Sequence, residues 1–134
     1  MSLVACGTSS DTRLIRYKGT CSQQTQQFMD YVHSMAVDEL NPMIVDGYKS
    51  GATTDFMKRI DELNTKINDI NTPECNPRTE DVKDALILYM RETKSYFTVL
   101  LGRTVYGEGS VQAQFAKMSE AAQAFEIALE DLRK

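Results

Sequence analysis

The 134-residue sequence predicts an all-α fold, an antiparallel up-down-up-down four-helix bundle. Three observations carry the expectation. Apolar residues recur at steps of three and four along four separate segments, and none shows the alternation of a half-buried strand. Short Gly-, Pro- and Asn-containing stretches divide those segments, the chemistry of turns and helix ends. Short connections between long helices make consecutive helices run in opposite directions. The composition, 42% hydrophobic and 25% charged, is that of an ordinary globular chain of one domain.

The first helix opens at Thr20-x-x-Gln23, which has the form of a capping box satisfying two free N–H groups. Its apolar stripe is Phe28, Met29, Val32, Met35, Ala36, Leu40, Met43 and Ile44. Pro42 removes a backbone donor and crowds the carbonyl four residues back, so a break or kink is expected there. A final turn then runs to about Asp46, and Gly47, Ser50 and Gly51 end the element. The second helix spans 53–70, with Thr53 as N-cap and Asp55 favourably placed in the first turn. Phe56, Ile60, Leu63, Ile67 and Ile70 make its stripe, in the alternating four-three steps of a helix packed along its length.

The 71–77 connection carries Pro73 and Pro77, with Asn76 as cap and Pro77 at the first position of the third helix. That helix spans 77–105 and buries Val82, Ala85, Leu86, Tyr89, Met90, Phe97, Leu100 and Leu101, with Gly102 loosening its last turn. Tyr106-Gly107-Glu108-Gly109 reads as the next loop and Ser110 as the cap of the fourth helix. The fourth stripe, Val111, Phe115, Met118, Ala122, Phe125, Leu129 and Leu132, has the most regular spacing in the chain.

A net charge of −4 argues against a nucleic-acid partner, because phosphate binding needs clustered Lys and Arg. The one basic cluster is Arg13, Arg16 and Lys18. No apolar run approaches the ~20 residues of a transmembrane helix.

Leu3-Val4-Ala5-Cys6-Gly7, followed by Thr8-Ser9-Ser10, resembles the lipobox of bacterial lipoproteins. The resemblance covers five residues. It implies a lipid on Cys6, a membrane contact made through that lipid, and a place on the exported side of a bacterial cell envelope. Residues 1–19 then comprise a remnant lipobox and a flexible tether, and 20–134 the bundle. With Cys6 given to lipid, Cys21 and Cys75 remain as an even pair, free to oxidise in an exported protein. In the expected topology the start of the first helix and the 71–77 connection share one pole, which brings these two cysteines together. A Cys21–Cys75 disulfide is expected, the alternative being two free thiols, one or both buried as small hydrophobes. The opposite pole carries the 47–52 and 106–110 loops, each with a tyrosine among glycines. Tyr48 and Tyr106 either face a protein or small-molecule partner or fold back to seal the core.

His33 is the single histidine, too few for a di-iron bundle. The predicted fold looks like haem-binding bundles of the cytochrome b562 kind, for which His33 with Met90 or Met118 is the available ligand pair. Nucleophile-elbow, P-loop and dinucleotide motifs are absent from the sequence. The expectation is therefore a binding or accessory module with no enzymatic activity, metal or cofactor. Two alternatives are kept: a small-molecule or haem-binding bundle, and a cytosolic helical protein whose lipobox match is accidental.

Overall fold

The computed structural model describes residues 15–134, and every regular element among them is helical. The elements are α1 (Cys21–Ser34), a π-helical segment (Met35–Leu40), α2 (Asn41–Ser50), α3 (Thr54–Asn68), α4 (Thr79–Leu101), the single turn α5 (Arg103–Tyr106) and α6 (Glu108–Arg133). One core of buried side chains joins them. α4 makes the most extensive contacts, with α6 first, then α3, then α1.

α1 begins with the Thr20 capping box: the Thr20 side chain accepts from the Gln23 N–H, and the Gln23 side chain accepts from the Thr20 N–H. The expected break at Pro42 does not occur. An α-helical Pro42 would set its ring against the carbonyl of Asp38. The turn before it widens instead, and the Asn41 N–H bonds five residues back, to the Ala36 carbonyl. Pro42 then sits in the first turn of α2, where no donor is needed. The wide turn also keeps one face buried. Phe28, Val32, Ala36, Leu40 and Ile44 are all buried at a constant step of four. In a regular α-helix that step drifts about 40° each time.

α2 runs on to Ser50, past the expected end near Asp46, and stops at Gly51, whose φ of +83° only glycine adopts without strain. Gly47 is therefore not a terminator. It is buried inside α2 because Phe56 and Phe97 lie against it, and a Cβ there would fall 2.7 Å from Phe97 Cε1.

Thr53 caps α3 by accepting from the Phe56 N–H at 3.1 Å, and Phe56, Ile60, Leu63 and Ile67 are buried. α4 starts two residues later than expected. Thr79, Glu80 and Asp81 donate to Asn76, Pro77 and Arg78, three residues back, so a tight 3₁₀ turn precedes it. Asn76 still serves this end: its Oδ1 accepts from the Arg78 N–H, and its Nδ2 donates to Thr25 Oγ1 on α1.

The far end of α4 differs more. Gly102 separates it from α5, and Gly107, at φ +85°, separates α5 from α6. Tyr106 is thus helical, Glu108 and Gly109 belong to α6, and Ser110 lies inside its first turn rather than capping it. Two residues assigned to the core are not in it. Leu101 is exposed at the end of α4, and Phe115 is 44% exposed where α6 passes the end of α2.

Ile15 to Lys18, read as part of a free tether, are fastened. Ile15 N–H donates to Asn71 Oδ1 and Asn71 Nδ2 donates to Ile15 O, both at 2.8 Å. Tyr17 Oη donates to the Asn71 carbonyl at 2.7 Å, and its ring packs edge-on to Phe28. Gln27 exchanges two hydrogen bonds with the Lys18 backbone.

Two outcomes follow from these contacts. Gly47→Ala should destabilise the fold by about 1–3 kcal/mol through overpacking, outweighing the helix preference of alanine. A urea midpoint equal to or above that of the parent would contradict the close approach. Asn71→Ala should free the entering strand, seen as faster trypsin cleavage after Arg16 and Lys18 with helicity unchanged.

Candidate functional site

Three helices frame one apolar groove. α2 presents Asn41, Ile44, Val45 and Tyr48 to it, and α6 presents Phe115, Met118, Ser119 and Ala122. The two walls carry the same three-one-three spacing, which places four residues on one side of a helix. Tyr89 of α4 forms the floor. The groove encloses about 280 Å³ and is lined mainly by carbon.

Aromatic packing sets the width. Tyr96 of α4 meets Tyr48 at 6.1 Å between centroids and Phe115 at 5.6 Å, both edge-on, so one ring supports both walls. Tyr48 also leans on Phe97 at 5.9 Å. These are the offset and edge-to-face arrangements that aromatic quadrupoles favour. Tyr89 Oη donates to Asn41 Oδ1 at 3.0 Å, tying the floor to α2. Burial pushes the Tyr48 phenol up to about 12, helped by neighbouring Tyr96. Burial raises the Tyr89 phenol too, followed by the nearby Glu126 carboxylate.

Tyr48 and Tyr106, paired by the sequence as loop residues of one pole, differ in their surroundings. Tyr48 sits on α2, half in the groove and 49% exposed. Tyr106 sits on α5 with its ring over Gly102, where a Cβ would lie 2.9 Å from Tyr106 Cε2. It does not line the groove. The 47–52 loop reduces to Gly51–Thr53, and the 106–110 loop to Gly107. Of the groove residues the sequence reading singled out only Tyr48; it assigned no role to Asn41, Val45 and Ser119 and gave Ile44, Tyr89, Phe115, Met118 and Ala122 to the core. Phe115 was given to the core because its spacing is continuous with that of the buried residues after it.

At the other end, Cys21 and Cys75 lie at disulfide distance with Cα atoms 5.8 Å apart, inside the ~4.4–6.8 Å that a disulfide permits. Cys6 lies outside the described residues. His33 is exposed on α1, whereas Met90 and Met118 are buried, so the haem pair is not on a common face. No group of three or more His, Cys, Asp or Glu that would hold a metal exists among the described residues. Among these residues no helix is long and apolar enough to cross a membrane.

A second cleft, between the π segment and α3, is polar and is crossed by an ion pair, with another beside it. Lys66 bridges to Glu39 at 3.0 Å and Arg59 to Asp46 at 2.8 Å.

No family model matches the chain, and neither a curated protein nor a solved structure gives a match.

The raised phenols fix an alkaline signature. The folded state holds Tyr48 and Tyr17 neutral to about 12, while the unfolded chain ionises both near 10. Their contribution is fully present below pH 10 and is lost as pH rises toward 12. Tyr48→Phe should flatten the fall in thermal stability across that window. Absorbance titration near 295 nm should show fewer tyrosines ionising by pH 11 than in urea.

Proposed function

We propose that this chain is a lipid-anchored module of a bacterial cell envelope, acting as a binding or accessory unit and built as an antiparallel up-down-up-down four-helix bundle. The carrying observation is the cysteine arithmetic in space. Cys21 and Cys75 lie within bonding reach, and that pairing leaves the lipobox-like Cys6 as the odd cysteine. A disulfide belongs to an oxidising compartment, and so does a lipidated Cys6.

The order of contacts supports the bundle. Between α2 with its π segment and α3, Asp46 meets Arg59 and Glu39 meets Lys66. Between α3 and α4, Asp61 meets Lys94 and, beyond the end of α3, Thr72 meets Glu80 in the first turn of α4. Between α4 and α6, Arg78 Nη2 donates to Asp131 O, Gln114 Nε2 meets Glu92, and Phe115 meets Tyr96. From α2 to α3 and from α3 to α4 partner numbers fall on one helix as they rise on the next, as antiparallel neighbours require, and between α4 and α6 they fall from Asp131 opposite Arg78 to Gln114 and Phe115 opposite Glu92 and Tyr96. Contacts from the first helical stretch to α4 rise together: Asn76 with Thr25, Tyr89 with Asn41, Tyr96 with Tyr48.

This arrangement gathers the chain entry, the 69–78 connection and the end of α6 at one pole. Cys6 precedes Ile15 by nine residues, a reach of at most about 30 Å. The stapled pole would thus face the bilayer, with Arg16 and Lys18 beside it. Tyr48 and Tyr106 stand toward the opposite end, available to a partner. A second reading, a bundle that holds a small organic molecule, draws on the apolar groove.

Intact mass of the native full-length protein tests the anchor. The expected result is a mature chain beginning at Cys6 and carrying diacylglycerol; an unmodified Cys6 with the preceding residues retained overturns it. Thiol counting in denaturant without reductant should find Cys21 and Cys75 unreactive; three reactive thiols would favour the cytosolic alternative. Cys75→Ser should cost about 4 kcal/mol on the loop-entropy model, read as a lower melting temperature under non-reducing conditions.

A further inference from the structure

We infer that the groove between α2 and α6 is a binding site for a small organic cation with an apolar body, such as an alkylammonium. This deepens the binding-module reading by naming a ligand class. The lining supplies three aromatic rings, Tyr48, Tyr89 and Phe115, and the thioether of Met118. Tyr48 and Phe115 are each roughly half exposed on opposite walls. Aromatic faces attract a desolvated ammonium and its alkyl groups together, the chemistry of quaternary-ammonium recognition.

Charge decides between ligands of the same shape. None of the nine lining residues is charged, so a carboxylate or phosphate would be desolvated there without a cationic partner. On α6 the wall positions 115, 119 and 122 continue at helical spacing to Glu126. Glu126 makes no ion pair among the described residues. Its carboxylate raises the Tyr89 phenol of the floor, second to burial. An acidic residue thus follows the α6 wall on the same side of the helix, and each wall carries one aromatic ring. Little polar surface lines the groove, and Asn41 Oδ1 already accepts from Tyr89. A ligand rich in hydrogen-bonding groups gains little, and one with a diffuse charge gains most. The volume, about 280 Å³, sits at the small end of ligand pockets. The chain's net charge of −4 favours approach of cations over anions.

The test titrates hexyltrimethylammonium into the full chain by NMR, with 1-hexanol and hexyl sulfate as neutral and anionic probes of equal hydrocarbon length. The ammonium should shift the signals of Val45, Tyr48, Phe115 and Ser119 and bind about tenfold more tightly than hexanol. Glu126→Gln, at an exposed position, should weaken it about 3- to 10-fold and leave hexanol unchanged. Phe115→Leu should weaken it about 3- to 30-fold, the range of a cation–π contact, with circular dichroism confirming the fold. Hexanol or hexyl sulfate binding as tightly as the ammonium would overturn the assignment, as would shifts confined to residues outside the groove. The titration needs no lipid on Cys6, so its failure and a failure of the anchor are separate results.

Discussion

Among the described residues, α4 is the helix on which the packing centres. It is the one helix in close contact with α1, α3, α5 and α6 alike, and it is buried on more than one side. Val82, Leu86, Met90 and Phe97 are essentially inaccessible, and Thr93 is buried among them with its hydroxyl returned to the Tyr89 carbonyl. Such a helix has no stable existence alone, since most of its apolar surface is removed from water only by neighbours. The side chains it offers set the spacing of what surrounds it. Ala121, Ala122 and Ala128 give α6 a small-residue face for close approach. Phe97 and Phe56, edge-on at 4.8 Å, come so near α2 that only Gly47 fits.

The groove is the other product of that spacing. Tyr89 and Tyr96 are large and lie between α2 and α6, which do not meet over the floor these rings form. The rings cover the core beneath and leave half of Tyr48 and Phe115 in solvent. Bulky aromatics on a central helix thus do two things at once. They bury area, and they keep two outer helices apart.

The two ends of the molecule are built from different chemistry. At the entry end, the Asn71 pair with Ile15, the Tyr17 hydroxyl, Asn76 with Thr25, and Arg78 on the Asp131 carbonyl fasten segments far apart in the chain, beside Cys21 and Cys75. Half-buried and exposed hydrogen bonds of this kind hold position more than they add stability. At the other end the α4–α5–α6 turn leaves Leu101, Val105 and Tyr106 in solvent, Val105 at 84%. Among the described residues, the Arg103–Glu108 ion pair ties that turn across Gly107.

Periodicity and caps were legible because they are local. The stripe of α3 and the Thr20 and Thr53 caps depend on side chains three or four residues apart, and such pairs meet in any helix. The all-helical character follows from the same information. What depended on distant chain was not legible. Pro42 reads as a break, but Phe28 through Ile44 must share one buried face, and burial of that face sustains a π turn in place of a break. Gly47 and Gly102 read as punctuation, but one is held by Phe56 and Phe97 and the other by the Tyr106 ring. Phe115 continues a regular apolar stripe, and local spacing cannot tell that α2 stands away from it there. The sequence by itself determined the helices and their apolar faces, because these are set within a few turns of chain. Tertiary structure alone decided which faces are covered and where a groove is left, because that is fixed by side-chain volumes on helices that meet only after folding.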